Sequence, residues 1–224
     1  MDSIPVNKLV QDVRVLLDEN RLESSYLQSD TDNMELNEII HSNIVDAVRS
    51  VLTGAPSGML EGVPLNIPEA AQYMETDGSG YVVLPPDFLR LLFFKMRSWR
   101  KGVYIAFPET SGIAKMQNNL FTRGTPIKPV CILSHDLNGS LTLEYYSVGF
   151  ENNGTYSRRD HRIDRALYIP IPSITKKDDV ESIEFNHLLY PSITNYCAGL
   201  TCINRKDDKL AEVFFNLAKS YLNE

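Results

Sequence analysis

Cysteine is scarce in this sequence, and the spacing of its three copies excludes the common metal and redox motifs. Cys131, Cys197 and Cys202 lie in apolar surroundings and include no Cys-x-x-Cys pair. An odd number of thiols also argues against a disulfide framework. We therefore predict that the three cysteines are small buried residues of a protein made in a reducing compartment.

Long apolar runs are missing as well. No run reaches the roughly 18 residues that a membrane-spanning helix needs, and the first residues, MDSIPVNK, lack the apolar core of a signal peptide. Apolar residues make up 43% of the chain and charged residues 23%, which is an ordinary globular composition. The sequence predicts a soluble protein that is made in a cytoplasm and has no membrane partner.

Positive charge is in deficit. The chain has 22 Lys and Arg against 29 Asp and Glu, a net charge of −7 and a pI near 5.2. Proteins that grip nucleic acid by neutralising many phosphates carry the opposite balance. The composition therefore argues against such a protein, but it is compatible with one past which DNA slides.

Motifs of catalysis are also absent. The sequence has no GxxxxGK[ST] loop, no GxGxxG after a predicted strand, no GxSxG and no HExxH. The pair His135-Asp136 has no Ser or Cys nucleophile motif to support it. The other histidines, His41, His161 and His187, also lack metal-ligand spacing, so all four are predicted at the surface or in turns. We predict no catalytic residue, no metal ion and no cofactor.

Apolar periodicity predicts helices at both ends of the chain. Residues 3–20 and 32–52 carry stripes at i, i+3, i+4 and i+7, and Gly54 follows the second. The helical pattern returns from Asp178, with one helix ending near Asn204 and a last helix capped by Asp207 or Asp208. The residues of the last helix that are predicted to face inward are Leu210, Val213, Phe214, Leu217, Ala218 and Tyr221.

The middle of the chain predicts strands, centred on a β-hairpin at residues 121–148. Its first strand is the apolar run 130–134, Asn138 and Gly139 supply two positive-φ turn positions, and apolar residues alternate from 141 to 145. Further strands are predicted at 81–84, at two places within 88–107, and at 166–171. Prolines around the last of these predict an edge strand.

These patterns predict an α+β fold. N- and C-terminal helical hairpins pack together as a bundle, and an antiparallel β-domain is inserted between them. The helical domain comprises residues 1–76 and 178–224, and the β domain comprises residues 77–177.

A charged loop is predicted at residues 149–165. Its basic residues Arg158, Arg159, Arg162 and Arg165 alternate with two aspartates. Three interpretations stay open: a solvated loop that pairs its own charges, a loop that contacts another protein, and a loop that touches nucleic acid. The connections at 54–80 and 109–120 are also long for a compact domain, and such loops commonly carry contacts.

The order of these parts, together with three short motifs, resembles a known family. The motifs are LPPDF at 84–88, RGTPIKP at 123–129 and LEYYS at 143–147. They resemble the head-to-tail adaptor or ring proteins of short-tailed phages, the tail tubular protein A type, and they look most like the ring proteins of the crAss-like phages. The likeness covers most of the chain and is weakest at 54–76 and 149–165.

The resemblance implies a structural part of a virion. It implies a closed homo-oligomeric ring, a dodecamer, which is stacked below the portal protein, meets other ring or tail proteins and forms part of the channel for the genome. Such a subunit is assembled in the bacterial cytoplasm and has no cofactor or activity. An acidic channel lining is consistent with this role, because it repels the DNA backbone and lets the genome pass without specific binding.

A closed ring requires two different complementary faces on each copy. We predict that the contacts with other subunits or proteins include Phe121, Arg123, Lys128, Arg158, Arg159 and Arg162. Two alternatives stay open: another neck or tail completion protein, and a small hydrolase or nuclease with an unrecognised site.

Overall fold

The computed structural model describes residues 2–19, 30–67, 72–74, 79–119, 121–146 and 162–223. The chain divides into two compact units. The terminal unit comprises Met1–Glu61 and Ile171–Glu224, and the central unit comprises Gly62–Pro170. The sequence placed the corresponding domain bounds at 76/77 and 177/178.

Five α-helices and eleven strands lie within the described residues. The helices are α1 (Val6–Glu19), α2 (Asp30–Gly54), α3 (Gly112–Met116), α4 (Tyr190–Asn204) and α5 (Asp208–Ser220). The strands are β1 (Asp2–Pro5), β2 (Val63–Pro64), β3 (Gln72–Met74), β4 (Gly80–Val83), β5 (Phe88–Met96), β6 (Phe107–Pro108), β7 (Cys131–His135), β8 (Leu141–Tyr145), β9 (Ile163–Pro170), β10 (Thr175–Lys177) and β11 (Val180–Phe185). Short 3-10 turns occur at Ser57–Met59 and His187–Leu189.

Helix α4 is the centre of the terminal unit. Nine of its fifteen residues are buried, and it packs against α1, α2 and α5. Its contact with α5 is close because Gly199 has no side chain, and a Cβ at that position would lie 2.7 Å from the ring of Phe215. Two buried hydrogen bonds join it to its neighbours: the Cys197 thiol donates to the Ile40 carbonyl and the Ser192 hydroxyl to the Ala218 carbonyl.

The terminal unit also contains the antiparallel sheet β1-β11-β10. Its last two strands are joined by a two-residue turn, in which Asp178 and Asp179 have φ values of 50° and 62°. Positive φ at both central positions is the type I′ arrangement that matches the twist of a hairpin. The prediction that the helical pattern returns at Asp178 is therefore wrong, because two aspartates that tolerate left-handed backbone form a turn there.

This turn should gain stability from the substitution Asp179→Gly. We expect an increase of about 0.5–1 kcal/mol in the free energy of unfolding, since Asp-Gly is preferred in type I′ turns and the exposed Lys176–Asp179 pair contributes little. Urea denaturation would measure the change. Asp179→Val is the opposing variant and should destabilise the protein, because a β-branched residue resists positive φ. A stabilised valine variant would contradict the turn assignment.

The central unit consists of the sheet β2-β9-β5 and the five-stranded sheet β3-β4-β8-β7-β6. Its core contains large side chains from both sheets, among them Phe94, Met96, Leu143, Tyr145 and Tyr168. The predicted hairpin is confirmed as the antiparallel pair β7–β8. Its turn differs from the prediction, because Gly139 alone has positive φ and the Asp136 carboxylate accepts hydrogen bonds from the backbone of Asn138 and Ser140.

Two other strand predictions need correction. The strand expected at 103–107 is reduced to an isolated bridge between Val103 and Phe94 and to the short strand β6. Strand β9 was predicted at an edge but is the middle strand of its sheet. Pro170 is compatible with this place because it is the last residue of the strand, where its missing N–H does not interrupt the hydrogen bonds between strands.

The predicted arrangement of the fold is wrong, although the chain is α+β. The described helices do not form a bundle of N- and C-terminal hairpins: β strands make up most of the middle of the chain, and a sheet lies in the terminal unit too. Nor is the central unit purely antiparallel, since β6 and β7 run parallel. The prediction failed because strands as short as two to four residues give no measurable periodicity.

Candidate protein interface

An ordered loop with exposed apolar side chains lies between β6 and β7. We define the contact loop as residues 112–119 and 121–130, which include helix α3. The helix begins after Ser111, whose hydroxyl accepts a hydrogen bond from the Ala114 N–H at 3.1 Å. A capped helix of this kind gives the loop a fixed starting point.

The buried side chain of Gln117 holds the contact loop together. Its amide nitrogen donates to the Ile113 carbonyl at 2.9 Å, and its amide oxygen accepts from the Gly124 N–H at 2.8 Å. The Arg123 guanidinium donates to the Gln117 carbonyl at 2.9 Å and lies over the Tyr146 ring. One side-chain amide therefore connects the helical start of the loop to its middle.

The apolar residues of the contact loop point away from this framework. Phe121 is 98% exposed although its N–H is bound by the Asn119 side chain at 2.9 Å, and Met116 and Ile127 are each 56% exposed. Leu137, at the tip of the β7–β8 turn, is fully exposed. Large apolar side chains that are held in water by ordered backbone are characteristic of protein contact sites.

Removing the Gln117 amide should loosen the contact loop. We expect Gln117→Met to lower the free energy of unfolding by about 1–3 kcal/mol, because the buried Gly124 N–H would lose its partner. Urea denaturation and amide hydrogen exchange at Gly124 would measure the effect. Asn118→Ala, at the exposed neighbouring position, is the matched control and should change stability by less than about 0.5 kcal/mol. Equal effects of the two changes would contradict the role of Gln117.

A second exposed apolar set lies on the terminal unit. Val213, Leu217 and Tyr221 follow one another at i, i+4 and i+8 on and just after α5, and they are 52%, 42% and 37% exposed. We call these three residues the α5 stripe. Their predicted inward orientation is wrong, because the side of α5 that packs inward carries Ala211, Phe214 and Ala218 instead.

Basic side chains gather where β5 ends and β9 begins. We define the basic patch as Lys95, Arg97, Arg162 and Arg165. Lys95 and Arg165 face each other in the β5–β9 register, and the Arg97 N–H donates to the Arg162 carbonyl at 2.9 Å. Lys95 also forms an ion pair with Asp164 at 2.8 Å. The hydrogen bond and the charge of Lys95 lower the pKa of the Asp164 carboxyl below its ordinary value, and the charge of Arg97 lowers it further.

The predicted contact residues have different positions. Phe121 and Lys128 are exposed on the contact loop, whereas Arg123 is half-buried and supports that loop from within. Arg162 is exposed in the basic patch. The predicted end of the charged loop at Arg165 is wrong, because residues 163–165 lie in strand β9. Arg158 and Arg159 lie outside the described residues.

Two polar clusters among the described residues join neighbouring elements. Ser134 donates to the Glu144 carboxylate, but Ser134 is only 5% exposed and also bonds Thr142, so a substrate has no access to its hydroxyl. The Tyr190 hydroxyl donates to the Asp12 carboxylate and joins α4 to α1. Burial is the main cause that raises the pKa of Tyr190, and the hydrogen bond to Asp12 raises it further, so the phenol stays neutral.

The cysteines and histidines agree with the predictions where they are described. All three cysteines are buried free thiols, and burial raises the pKa of Cys197 to about 12. His41, His135 and His187 are exposed, while His161 lies outside the described residues. Within the described part of the chain, no group of His, Cys, Asp and Glu could hold a metal ion. The described helices include none that is long and apolar enough to cross a membrane.

A recess of about 1000 Å³ lies between residues 64–67 and the first half of β9. Its polar lining includes Asn66, Gln72, Arg162, Asp164 and Arg165. These groups can bind an anion or a hydrogen-bonding chain, but they offer no nucleophile beside a base. The recess extends the basic patch, with which it shares Arg162 and Arg165.

Sequence reasoning missed much of the exposed apolar surface. Ile127 and Leu137 were not predicted as contacts, Met116 was included only within the long connection 109–120, and the α5 stripe was assigned to the core. The available signal was weak: Leu137 interrupts a turn of polar residues, Asp-Leu-Asn-Gly, where an apolar side chain has little chance of burial.

No protein-family model matches this chain, and no curated protein matches it.

Proposed function

We propose that the chain is a subunit of a head-to-tail connector ring in the virion of a tailed phage. In this role it joins the portal protein to the tail and lines part of the channel through which the genome leaves the head. The ring is a homo-oligomer, a dodecamer according to the family resemblance. The proposal includes no enzymatic activity, cofactor or specific DNA site.

The observation that carries the proposal is the presence of an exposed apolar set on each of the two units, among other exposed apolar residues. The contact loop, with Phe121, belongs to the central unit, and the α5 stripe, with Leu217, belongs to the terminal unit. A ring of identical copies needs two unlike faces, because each copy presents one face to the preceding copy and the other to the next. In our proposal, the contact loop of one copy meets the α5 stripe of its neighbour.

The order of the contact loop also favours assembly. A loop that is already fixed by the hydrogen bonds of Gln117 and Thr122 loses little conformational entropy when it binds. The virion location and the portal partner rest on the resemblance of LPPDF, RGTPIKP and LEYYS to the ring proteins. The assembly itself rests on the two apolar sets.

Sedimentation velocity and electron microscopy test the proposal. The purified chain is measured alone and with the portal protein of the same phage, because ring closure can require the portal as a template. We expect closed rings, either free or attached to the portal. A chain that stays monomeric at high concentration and does not bind the portal would refute the proposal.

A further inference from the structure

Charge is divided unequally between the two units of the chain. The central unit, residues 62–170, has 12 basic and 10 acidic residues, giving a net charge of +2. The terminal unit has 10 basic and 19 acidic residues, giving −9. The overall charge of −7 therefore conceals two units of opposite sign.

Among the described residues, the four cations of the basic patch have Asp164 as an ion-pair partner, which interacts with Lys95 and, more weakly, with Arg97. Asp164 pairs with Lys95 at 2.8 Å. Within the described residues, the exposed side chains of Arg97 and Arg162 form no ion pair, and Arg165 lies over the Phe93 ring at 5.6 Å. The patch thus presents an excess of positive charge beside the recess that Arg162 and Arg165 line.

The basic patch is continuous with the contact loop. Arg97 begins the turn after β5, and Arg100 of that turn donates its N–H to the Pro126 carbonyl of the contact loop at 2.9 Å. A partner bound to the contact loop therefore lies next to the basic patch. Charge beside an apolar contact is the arrangement that selects partners and orients their approach.

Helix α2 carries an excess of negative charge in its sequence. It contains five acidic residues and one basic residue. By contrast, Asp179 pairs with Lys176 at 3.2 Å, and α5 carries lysines beside its acids. On α2, Glu38 and Asp46 are exposed and form no ion pair among the described residues. They lie about 12 Å apart along the helix axis, and we call them the acidic face of α2.

We infer that the basic patch of one copy binds the acidic face of α2 on a neighbouring copy. This inference rests on the proposed ring, in which the central unit of each copy meets the terminal unit of the next. Every copy then supplies both halves of the charge contact, and like charges disfavour the reversed orientation. The DNA backbone is the competing anion, but a chain with a net charge of −7 repels it overall.

A charge exchange tests the inference. Arg97→Glu/Arg162→Glu reverses the basic patch, and Glu38→Arg/Asp46→Arg reverses the acidic face. At about 0.1 M salt, we expect either double variant to weaken ring assembly by roughly tenfold. A chain that carries all four substitutions should recover assembly. Lys177→Glu/Lys219→Glu makes the same charge change at exposed sites outside the basic patch and the α5 stripe and is the control, with wild-type assembly expected.

Each chain is tested in three ways: by sedimentation velocity in the presence of the portal protein, by thermal melting and by binding to a labelled DNA duplex. Recovery by the fourfold variant supports the inference. If the variant with the reversed basic patch assembles like the wild type, the inference is wrong but the proposed ring stands. The same conclusion follows if that variant loses only DNA binding. Failure of the fourfold variant to recover rejects α2 as the occupant. Failure of the wild-type chain to assemble overturns the proposed ring and the inference together.

Discussion

Glutamate in place of Phe121 is expected to abolish ring assembly while leaving the stability of the subunit unchanged. Phe121 is 98% exposed, so the substitution removes no contact within the subunit. In the ring, the same position is covered by the neighbouring copy, where an unpaired buried carboxylate costs about 3–5 kcal/mol. Each subunit contact should therefore weaken by about 100-fold or more. Sedimentation velocity and thermal melting measure the two effects.

The complementary face provides a sharper form of this test. Leu217→Glu, on the α5 stripe, should abolish assembly equally. A mixture of the Phe121→Glu and Leu217→Glu chains retains one intact contact, in which the loop of the second chain meets the stripe of the first. The mixture should therefore form dimers that cannot grow into rings.

Ser173→Glu is the matched control for both variants. It adds the same charge at an exposed position outside the contact loop and the α5 stripe, and its rings should be normal. If Phe121→Glu also assembles normally, the contact loop is not part of the subunit contact. Dimers of either variant alone would show that the contact joins two identical faces.

Alanine in place of Phe94 should destabilise the central unit by about 3–5 kcal/mol, since it leaves a cavity in a close-packed core. Phe94 is completely buried, with its ring centroid 5.7 Å from that of Trp99 and 6.2 Å from that of Tyr145. Trp99 is the single tryptophan of the chain, so its fluorescence reports this core directly during urea denaturation. The midpoint of the fluorescence transition should fall strongly.

Phe121→Ala is the control for the Phe94 prediction. It makes the same chemical change on the surface of the same unit and should alter the free energy of unfolding by less than about 0.5 kcal/mol. Similar effects of the two substitutions would show that Phe94 does not lie in the core. If a second unfolding transition is seen by another signal but not by Trp99 fluorescence, the terminal unit unfolds independently.

Long periodic segments were predictable because burial of one face of a regular element leaves a repeat in the sequence. Helix α1 follows this rule, with Val6, Leu9, Val10, Val13 and Leu17 all buried. The β7–β8 hairpin was predictable for the same reason, with Gly139 at its turn. The sheet β1-β11-β10 was not predictable, because its strands are short and become strands only by pairing with residues that are distant in the chain.

The candidate interface was predictable in part. Phe121 lies among turn residues, where burial of a large aromatic side chain is difficult, and the sequence therefore indicated a contact there. Val213 and Leu217 carry no such signal, because α5 has more apolar residues than one buried side can accept. Which side is buried depends on the partner helix, and α4 packs against the side with Ala211, Phe214 and Ala218.

By itself, the sequence determined where the long helices and the central hairpin form, since those elements depend on local periodicity and turn chemistry. It also determined that the cysteines are buried. Only the tertiary structure decided which apolar residues remain exposed, how the charge of −7 divides into units of −9 and +2, and that Lys95, Arg97, Arg162 and Arg165 meet. These properties depend on contacts between segments far apart in the chain, and a local pattern carries no record of which distant segment will cover it.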